Sequence, residues 1–235
     1  MMLDECPPYP CTRDEAAAAM QRTHRWATRN LSARKGEQAI FGIVQGGVHL
    51  DLRTESAQAI SELPFEGVAI GGVCVGEPTE MQYPVVAHTA PLLPANKARY
   101  LMGVGHPQDI LHAVSCGVDM FDCVLPTRVA RNGTAYTYKG AYVLKGGQYK
   151  ADFRPIEEGC DCFACLRFTR AYLRHLCKAH EILGARMLSV HNTHMFLRLM
   201  RDFRAHLAAG TFGEFRKEFI AGYTPSRKVL AARGG

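Results

Sequence analysis

The chain has 235 residues, and 47% of them are hydrophobic, so it can bury a large core in one domain or two. No apolar run approaches the roughly 20 residues that cross a bilayer, and no signal peptide opens the sequence, so we expect no membrane partner. Nine cysteines, an odd number scattered through the chain, favour metal binding in a reducing compartment over a disulfide framework. These properties predict a cytoplasmic protein.

The formal net charge of +6 is unevenly distributed along the sequence. Residues 1–124 contain 9 basic and 14 acidic side chains, whereas residues 125–235 contain 19 and 8. A neutral or acidic body followed by a strongly basic half indicates a binding surface for a polyanion. The alternative is a solvated basic helix face that has no nucleic-acid partner.

The first half alternates short apolar runs with helical patterns, an order typical of a parallel sheet. Thr12 to Glu15 is a capping box in front of a helix that extends to about residue 30. Further helices are predicted over 50–62 and from Pro107, a first-turn proline, to Gly117. Strands are predicted at 39–44, 68–70, 99–102 and 118–121, and residues 1–3 fit the end of a fifth strand.

Five residues suited to ligand binding directly follow the five predicted strands. They are Asp4, Gln45, Gly72, Gly103 and Asp122. In a parallel barrel, the carboxyl ends of the strands form the face where active sites are built. A closed barrel has eight strands, so we expect an α/β fold that is a partial (β/α)8 TIM barrel, about its last five strands, in a chain truncated at its start.

From about residue 133 the pattern changes. An Asn-Gly turn at 132–133 and a Lys-Gly turn at 139–140 predict hairpin strands over 134–150. Two helices are predicted over 166–183 and 186–207, and Gly184 lies between them. In the second helix an apolar stripe indicates a core face: Phe196, Leu199, Met200, Phe203 and Leu207. We therefore expect a barrel portion over 1–132, a zinc-binding subdomain with closing helices over 133–223, and a flexible tail over 224–235.

Three cysteines lie within six residues, at Cys160, Cys162 and Cys165. Thiolates and an imidazole are the ligands that tetrahedral zinc prefers, and four of them close a structural site with no open position. Buried free cysteines are the alternative, but Gly159 and the turn-like spacing favour a metal knuckle. The spacing leaves the histidine open among His175, His180, His191 and His194.

A series of short segments resembles the tRNA-guanine transglycosylases over nearly the whole chain up to about residue 220. The segments include DECPPYP at 4–10, FGIVQGG at 41–47, GGVCVGE at 71–77, YLMGVG at 100–105, DMFDCVLPTR at 119–128, RNG at 131–133, the cysteine knuckle, EILGA at 181–185 and HN at 191–192. The resemblance implies a (β/α)8 barrel with a zinc-binding subdomain. It also implies an enzyme, a pentosyltransferase, that replaces guanine at the tRNA wobble position with a 7-deazaguanine in queuosine biosynthesis.

The resemblance also assigns roles to individual residues. Asp122 matches the nucleophile that attacks the ribose, although by sequence alone it could be a turn or capping aspartate. Asp4 matches the acceptor of hydrogen bonds from the guanine-like face of the base. Gln45 and the Gly72 N–H match the groups that bind the carbonyl oxygen of the base, and Met102 matches an apolar wall under its ring. His191 completes the zinc ligands with Cys160, Cys162 and Cys165.

The same resemblance implies RNA contacts and partners. Two segments match RNA-binding loops: Gly103, Val104, Gly105, His106, Pro107, Gln108 and Asp109, and Thr127, Arg128, Val129, Ala130 and Arg131. We expect the tRNA anticodon loop, with guanine at the wobble position, and a second copy of the chain as partners. Cys6 and Val75 resemble the bacterial form, which implies 7-aminomethyl-7-deazaguanine as the incoming base, although Val73 stands where leucine is more usual.

One part of the family pattern has no match in this sequence. The general acid/base aspartate of the family lies in a Ser-Gly-Gly-rich loop upstream of the matched region, and base exchange needs such a group. Three hypotheses therefore compete: a transglycosylase, a non-catalytic tRNA-binding partner subunit, and an inactive fragment. Asp4, Gln45 and Asp122 favour the first, and for the 235-residue chain alone we expect little or no turnover.

Overall fold

A computed structural model describes residues 1–224 of the chain. The chain divides into two compact units, one over Met1–Cys123 and a second that begins at Val124. No helix in this described range is both long enough and apolar enough to cross a bilayer. Apart from Thr224, the tail predicted at 224–235 lies outside the described residues.

The first unit is built on a parallel sheet of four strands in the order β1-β2-β3-β4. The strands are β1 Phe41–Val44, β2 Gly67–Ile70, β3 Ala98–Leu101 and β4 Met120–Phe121. The register pairs Val44 with Ile70 and Ile70 with Leu101, so the first three strands end at the same edge of the sheet. Every residue of β2 is buried, which explains its continuous apolar sequence.

Residues 1–3 do not form the predicted fifth strand. The Met2 N–H donates to Phe41 O at 3.0 Å, as a strand beside β1 would. The next residue departs from that ladder, because the Leu3 N–H donates to the Asn30 side chain at 3.4 Å. One ladder bond does not make a strand, so the described part of the sheet has four strands and not five.

Four helices accompany this sheet: α1 Arg13–Ala33, α2 Leu50–Ser61, α3 Thr79–Thr89 and α4 Pro107–Ser115. The capping box in front of α1 is confirmed, since the Thr12 side chain accepts from the Glu15 N–H and the Glu15 side chain accepts from the Thr12 N–H. The sequence did not predict α3. It contains Pro84, and a proline inside a helical pattern normally indicates its end.

The second unit contains one antiparallel hairpin and five helices within the described residues. The elements are α5 Leu125–Arg131, β5 Thr134–Thr137, β6 Gly140–Val143, α6 Phe163–Arg167, α7 Arg170–Lys178, α8 Ile182–Ala208 and α9 Phe212–Gly222. The predicted hairpin is therefore confirmed, although its second strand ends at Val143 rather than near residue 150. The short helices α5 and α6 and the final α9 are absent from the sequence prediction.

Gly184 does not separate the two long helices, as the sequence suggested, but lies buried inside α8. The chain breaks instead between α7 and α8, where His180 has a left-handed φ of 59°. A Cβ on Gly184 would stand 3.0 Å from the Cβ of Leu176, so the glycine permits α7 and α8 to pack closely. The predicted apolar stripe is confirmed at Leu199 and Phe203, whereas Leu207 near the helix end is 51% exposed.

Candidate functional site

Asp4, Gln45 and Gly72, which the sequence predicts as base-binding residues, lie together in the first unit. Gln45 follows β1, is fully buried, and donates from Nε2 to Asp4 Oδ2 at 2.7 Å. A Cβ on Gly72 would stand 2.3 Å from Gln45 Oε1, so only glycine fits beside this amide. Oε1 itself has no hydrogen-bond partner among the described residues. A buried acceptor without a partner is costly, which indicates a place for a donor from a ligand.

Arg53 contacts the backbone on either side of Gln45 and Gly72, and it was not predicted as a site residue from the sequence. It is fully buried in α2, and its guanidinium donates to four backbone oxygens at the ends of β1 and β2. Burial lowers the pKa of Arg53 to about 10, so the side chain remains a cation at neutral pH. Helical spacing could have revealed it, because Ser56, Ala57 and Ile60 place Arg53 on the buried face of α2.

The loop after β2 is held by one buried carboxylate. Glu77 accepts hydrogen bonds from the backbone N–H groups of Cys74 and Val75. Cys74 has a left-handed φ of 65°, a conformation that an ordinary residue adopts only where its surroundings enforce it. The Glu77 contacts therefore fix the path of the chain beyond Gly72.

Asp122, the predicted nucleophile, lies exposed at the end of β4. Its Oδ1 accepts from the Gly103 N–H at 3.2 Å. The Tyr100 hydroxyl also hydrogen-bonds to Asp122, and burial together with this carboxylate raises the pKa of Tyr100 to about 12. Because β3 and β4 are paired, Tyr100 in β3 and Gly103 just after it both reach Asp122. These two contacts orient the Asp122 carboxylate, which stays exposed to solvent. Tyr100 was not assigned a role from the sequence.

The predicted wall and the first RNA-binding segment follow β3. Met102 is half-buried, and its N–H donates to Ile70 O at 3.3 Å. Gly103 is exposed, and His106 and Gln108 are half-buried. The remaining predicted residues of this segment are buried: Val104, Gly105, Pro107 and Asp109. The Asp109 carboxylate accepts from the Tyr83 hydroxyl at 2.8 Å, so its position serves the packing of α4.

The second predicted RNA-binding segment forms most of the short helix α5. Thr127, Arg128 and Arg131 are exposed, Val129 is half-buried, and Ala130 is fully buried in the core of the second unit. Residues three apart lie on the same side of a helix, so the two arginines present their charges together. The segment therefore has one core face and one basic face.

Cys160, Cys162, Cys165 and His191 form a buried group whose ligand atoms all lie within 4.8 Å of one another. The three Sγ atoms stand 3.8, 3.5 and 3.4 Å from His191 Nδ1. His191 Nε2 lies 2.8 Å from Tyr136 O, which fixes the proton on Nε2 and leaves Nδ1 free to bind a metal. Four soft donors converging on one point can hold a metal ion with no open position.

The other candidate histidines are not part of this group. His194 Nε2 instead pairs with Asp161 Oδ1 at 2.8 Å, on the neighbouring surface. The pKa of the Cys162 thiol is lowered, first by the hydrogen bond from the Cys165 side chain and then by His191. The same hydrogen bond, together with burial, raises the pKa of the Cys165 thiol, so these two cysteines share a proton that a metal ion would displace, because a metal needs thiolates as ligands.

Asn192, the residue after His191, joins three elements of the second unit and was not predicted as a site residue. Its Nδ2 donates to Pro126 O at 2.9 Å and to Thr134 O at 3.1 Å. Its Oδ1 accepts from the Tyr136 N–H at 2.9 Å. The side chain thus fixes the start of α5 to β5 and α8, beside the metal-binding group.

We expect Asn192→Ala to lower the free energy of unfolding of the second unit by about 2–4 kcal/mol. The change removes three hydrogen bonds to backbone groups, two of them buried, at about 1–3 kcal/mol for each buried group left unsatisfied. Chemical denaturation followed by circular dichroism measures the difference. Thr193→Ala, at an exposed neighbouring position, is the matched control and should stay within about 0.5 kcal/mol of wild type. Equal stability of the two variants would contradict this role of Asn192.

Together these features define a class: an α/β protein with a strand-end ligand site and a separate unit that has a Cys3His group and a basic helix. Comparison with known proteins gives the particular family. A family model for queuine tRNA-ribosyltransferase matches residues 1–225. The chain belongs to this family.

Similar proteins support that assignment. The chain is 52% identical over 224 residues to a queuine tRNA-ribosyltransferase of Pelotomaculum thermopropionicum, covering 95% of this chain and 60% of that protein. It is 51% identical over 241 residues to the enzyme of that name from Symbiobacterium thermophilum, covering 100% and 60%. A third, from Halalkalibacterium halodurans, is 51% identical over 225 residues, covering 95% and 59%. The chain thus spans about three fifths of the length of these relatives.

Proposed function

We propose that the protein containing this chain exchanges guanine at the wobble position of tRNA for a 7-deazaguanine base, a step of queuosine biosynthesis. The observation that supports it most is the buried Gln45 amide, whose Oε1 has no partner among the described residues and stands beside Asp4 and Gly72. The carboxylate, the amide and the backbone N–H can donate and accept hydrogen bonds along the edge of a flat heterocycle. A purine-type base has both donors and acceptors on such an edge, so it matches these groups.

In this proposal the base lies between the strand ends. The Asp4 carboxylate accepts the N–H groups of the guanine-like edge, because two carboxylate oxygens suit two adjacent donors. The remaining N–H of Gln45 Nε2 and the Gly72 N–H donate to the carbonyl oxygen of the base, Gln45 Oε1 accepts an N–H of the base, and Met102 supports its face. The absence of a Cβ at Gly72 lets the ring approach the backbone closely.

Asp122 is the proposed nucleophile. One carboxylate oxygen bonds to the ribose C1′ as the bond from C1′ to guanine N9 breaks, and the bonding electrons leave with the base. The incoming base then attacks C1′ from the opposite side and releases the carboxylate, so two inversions retain the configuration. The leaving base takes up a proton and the incoming base loses one, so a general acid/base must act with Asp122.

The second unit has two proposed roles. The exposed Arg128 and Arg131, with Thr127, bind phosphates or splayed bases of the anticodon loop, which suits recognition of single-stranded RNA. Zinc is the proposed ion of the Cys3His group, because three thiolates and one imidazole match its tetrahedral preference. It is structural, since no position remains open for a substrate.

The four-stranded parallel sheet is further proposed to be part of a (β/α)8 barrel, which would place the strand-end residues on the usual active-site face. A homodimer and a cytoplasmic location complete the proposal. None of the nine cysteines forms a disulfide in the described residues, which suits a reducing compartment.

Release of labelled guanine from tRNA tests the function directly. The full-length protein containing this chain is incubated with tRNA that carries labelled guanine at the wobble position, together with unlabelled incoming base. We expect label to leave the tRNA only when the incoming base is present. Binding of tRNA without release would favour the alternative, a non-catalytic tRNA-binding subunit, and loss of both would indicate an inactive protein.

The incoming base is predicted to be 7-aminomethyl-7-deazaguanine rather than the larger queuine. The resemblance of Cys6 and Val75 to the bacterial form supports this choice, because bulky side chains at these positions in that form narrow the pocket to a small substituent. In a competition for the same tRNA, we expect the smaller base to be incorporated at least about tenfold faster, because a substituent that does not fit forces strain. Equal rates for the two bases would contradict this specificity.

A further inference from the structure

Arg53 is buried within hydrogen-bonding distance of the two peptide bonds that present the proposed base-binding groups. Its Nη1 donates to Val44 O at 3.2 Å and to Gly71 O at 2.6 Å. The carbonyl of Val44 belongs to the peptide that precedes Gln45, and the carbonyl of Gly71 belongs to the peptide that contains the Gly72 N–H. A single guanidinium nitrogen thus joins both strand ends.

The remaining contacts fix the turns that follow. Arg53 Nη2 donates to Gly72 O at 3.0 Å, and Nε donates to Gly47 O at 2.8 Å. All three nitrogens of the guanidinium therefore bind backbone oxygens, and no carboxylate forms a salt bridge with it among the described residues. The buried charge contacts peptide dipoles directly, and the Glu77 carboxylate acts on it only through space.

The geometry of a trans peptide determines where the Gly72 N–H points when Arg53 binds the Gly71 carbonyl. The C=O and N–H of one peptide unit point to opposite sides, so the Gly72 N–H points away from Arg53. On that far side the Gly72 N–H hydrogen-bonds to the Cys6 thiol, next to Asp4. A cation on the carbonyl end polarises the peptide and strengthens its N–H as a donor.

We infer that Arg53 is a positioning residue of the base site, which orients and polarises the Gly71–Gly72 peptide so that the Gly72 N–H binds the 6-oxo group of the base. This inference rests on the proposed function. Negative charge on the oxygen of a departing guanine would meet the same strengthened donor, so the effect extends to bond cleavage.

The test compares guanine, which has the 6-oxo acceptor, with 2-aminopurine, which is fluorescent and lacks both that group and the N1–H beside it. The quantity compared is the change in binding of each base on substitution of Arg53, because the missing N1–H affects wild type and variant alike. Equilibrium dialysis with labelled guanine and fluorescence titration with 2-aminopurine give the two dissociation constants for the full-length protein. Arg53→Lys keeps the charge but cannot bind four oxygens, so we expect guanine to bind about tenfold more weakly and 2-aminopurine to change less than about twofold.

Arg99→Lys is the matched control. Arg99 also donates to backbone oxygens within the first unit, at Leu93 and Gly117, but contacts none of the proposed base-binding residues. We expect both dissociation constants to remain within about twofold of wild type. Arg53→Gln, which is uncharged and can donate to only part of this set of oxygens, is the second variant if Arg53→Lys does not fold.

The outcomes separate the inference from the function on which it rests. If wild type releases guanine from tRNA but Arg53→Lys weakens both bases equally, or neither, the inference is overturned and the proposed function stands. If wild type releases no guanine, the proposed function fails, even where guanine binding still depends on Arg53. If neither Arg53 variant folds while Arg99→Lys does, Arg53 is a structural residue only and the inference is overturned.

Discussion

Asp122→Asn in the full-length protein should reduce guanine exchange by about a thousandfold or more, since it removes the proposed nucleophile. An amide oxygen is a far poorer nucleophile than a carboxylate, but it can still accept the hydrogen bond that the Gly103 N–H donates. Binding of tRNA should therefore persist while exchange is lost. Single-turnover release of labelled guanine measures the rate, and a denaturing gel shows whether protein stays covalently attached to tRNA.

Asp119→Asn is the matched control for this experiment. Asp119 lies in the same segment, and its Oδ2 accepts from the Arg99 N–H at 2.8 Å, a bond that an asparagine oxygen can replace. We expect its exchange rate to stay close to that of wild type. Covalent attachment of tRNA to the Asp122→Asn protein would show that another residue is the nucleophile.

His191→Ala should abolish binding of the proposed zinc ion and destabilise the second unit by roughly 3 kcal/mol or more, because metal binding in such sites contributes directly to folding. The change also removes the contact between His191 Nε2 and Tyr136 O. Cys162→Ser separates the two effects, since it removes one ligand and keeps the histidine. Elemental analysis of the purified proteins should find about one zinc per chain in wild type and far less in both variants.

Two controls distinguish ligands from neighbours. Cys177 is buried in the same core as the ligand cysteines but lies outside the metal-binding group, so Cys177→Ser should keep its zinc. His194 pairs with the exposed Asp161, and His194→Ala should also keep it. Full zinc content in His191→Ala with loss in His194→Ala would reverse the assignment of the fourth ligand.

The candidate site shows which contacts a linear pattern can predict. Gln45 and Gly72 were predicted at a common edge because they follow parallel strands, whereas Asp4 was predicted from a strand that does not form, and the resemblance gave all three their base-binding roles. The structure nevertheless brings these three residues together. Arg53 was missed because its role depends on the backbone oxygens that α2 packs against. Those oxygens follow β1 and β2, and the sequence of α2 does not reveal which of them Arg53 contacts. Tyr100 was missed for a similar reason, since its partner Asp122 is 22 residues away on a neighbouring strand.

The sequence by itself determined the features that depend on neighbours along the chain. The capping box of α1, the apolar runs of β1 and β2 and the spacing of three cysteines are local, and the structure confirms them. Cysteine spacing left the fourth ligand open among four histidines, and only the family resemblance pointed to His191. The tertiary structure agrees, because it brings His191 Nδ1 within 3.4 Å of a sulfur that is 26 residues away. It also placed Gly184 inside α8 rather than at a break. Such choices depend on packing between distant segments, which covalent spacing does not fix.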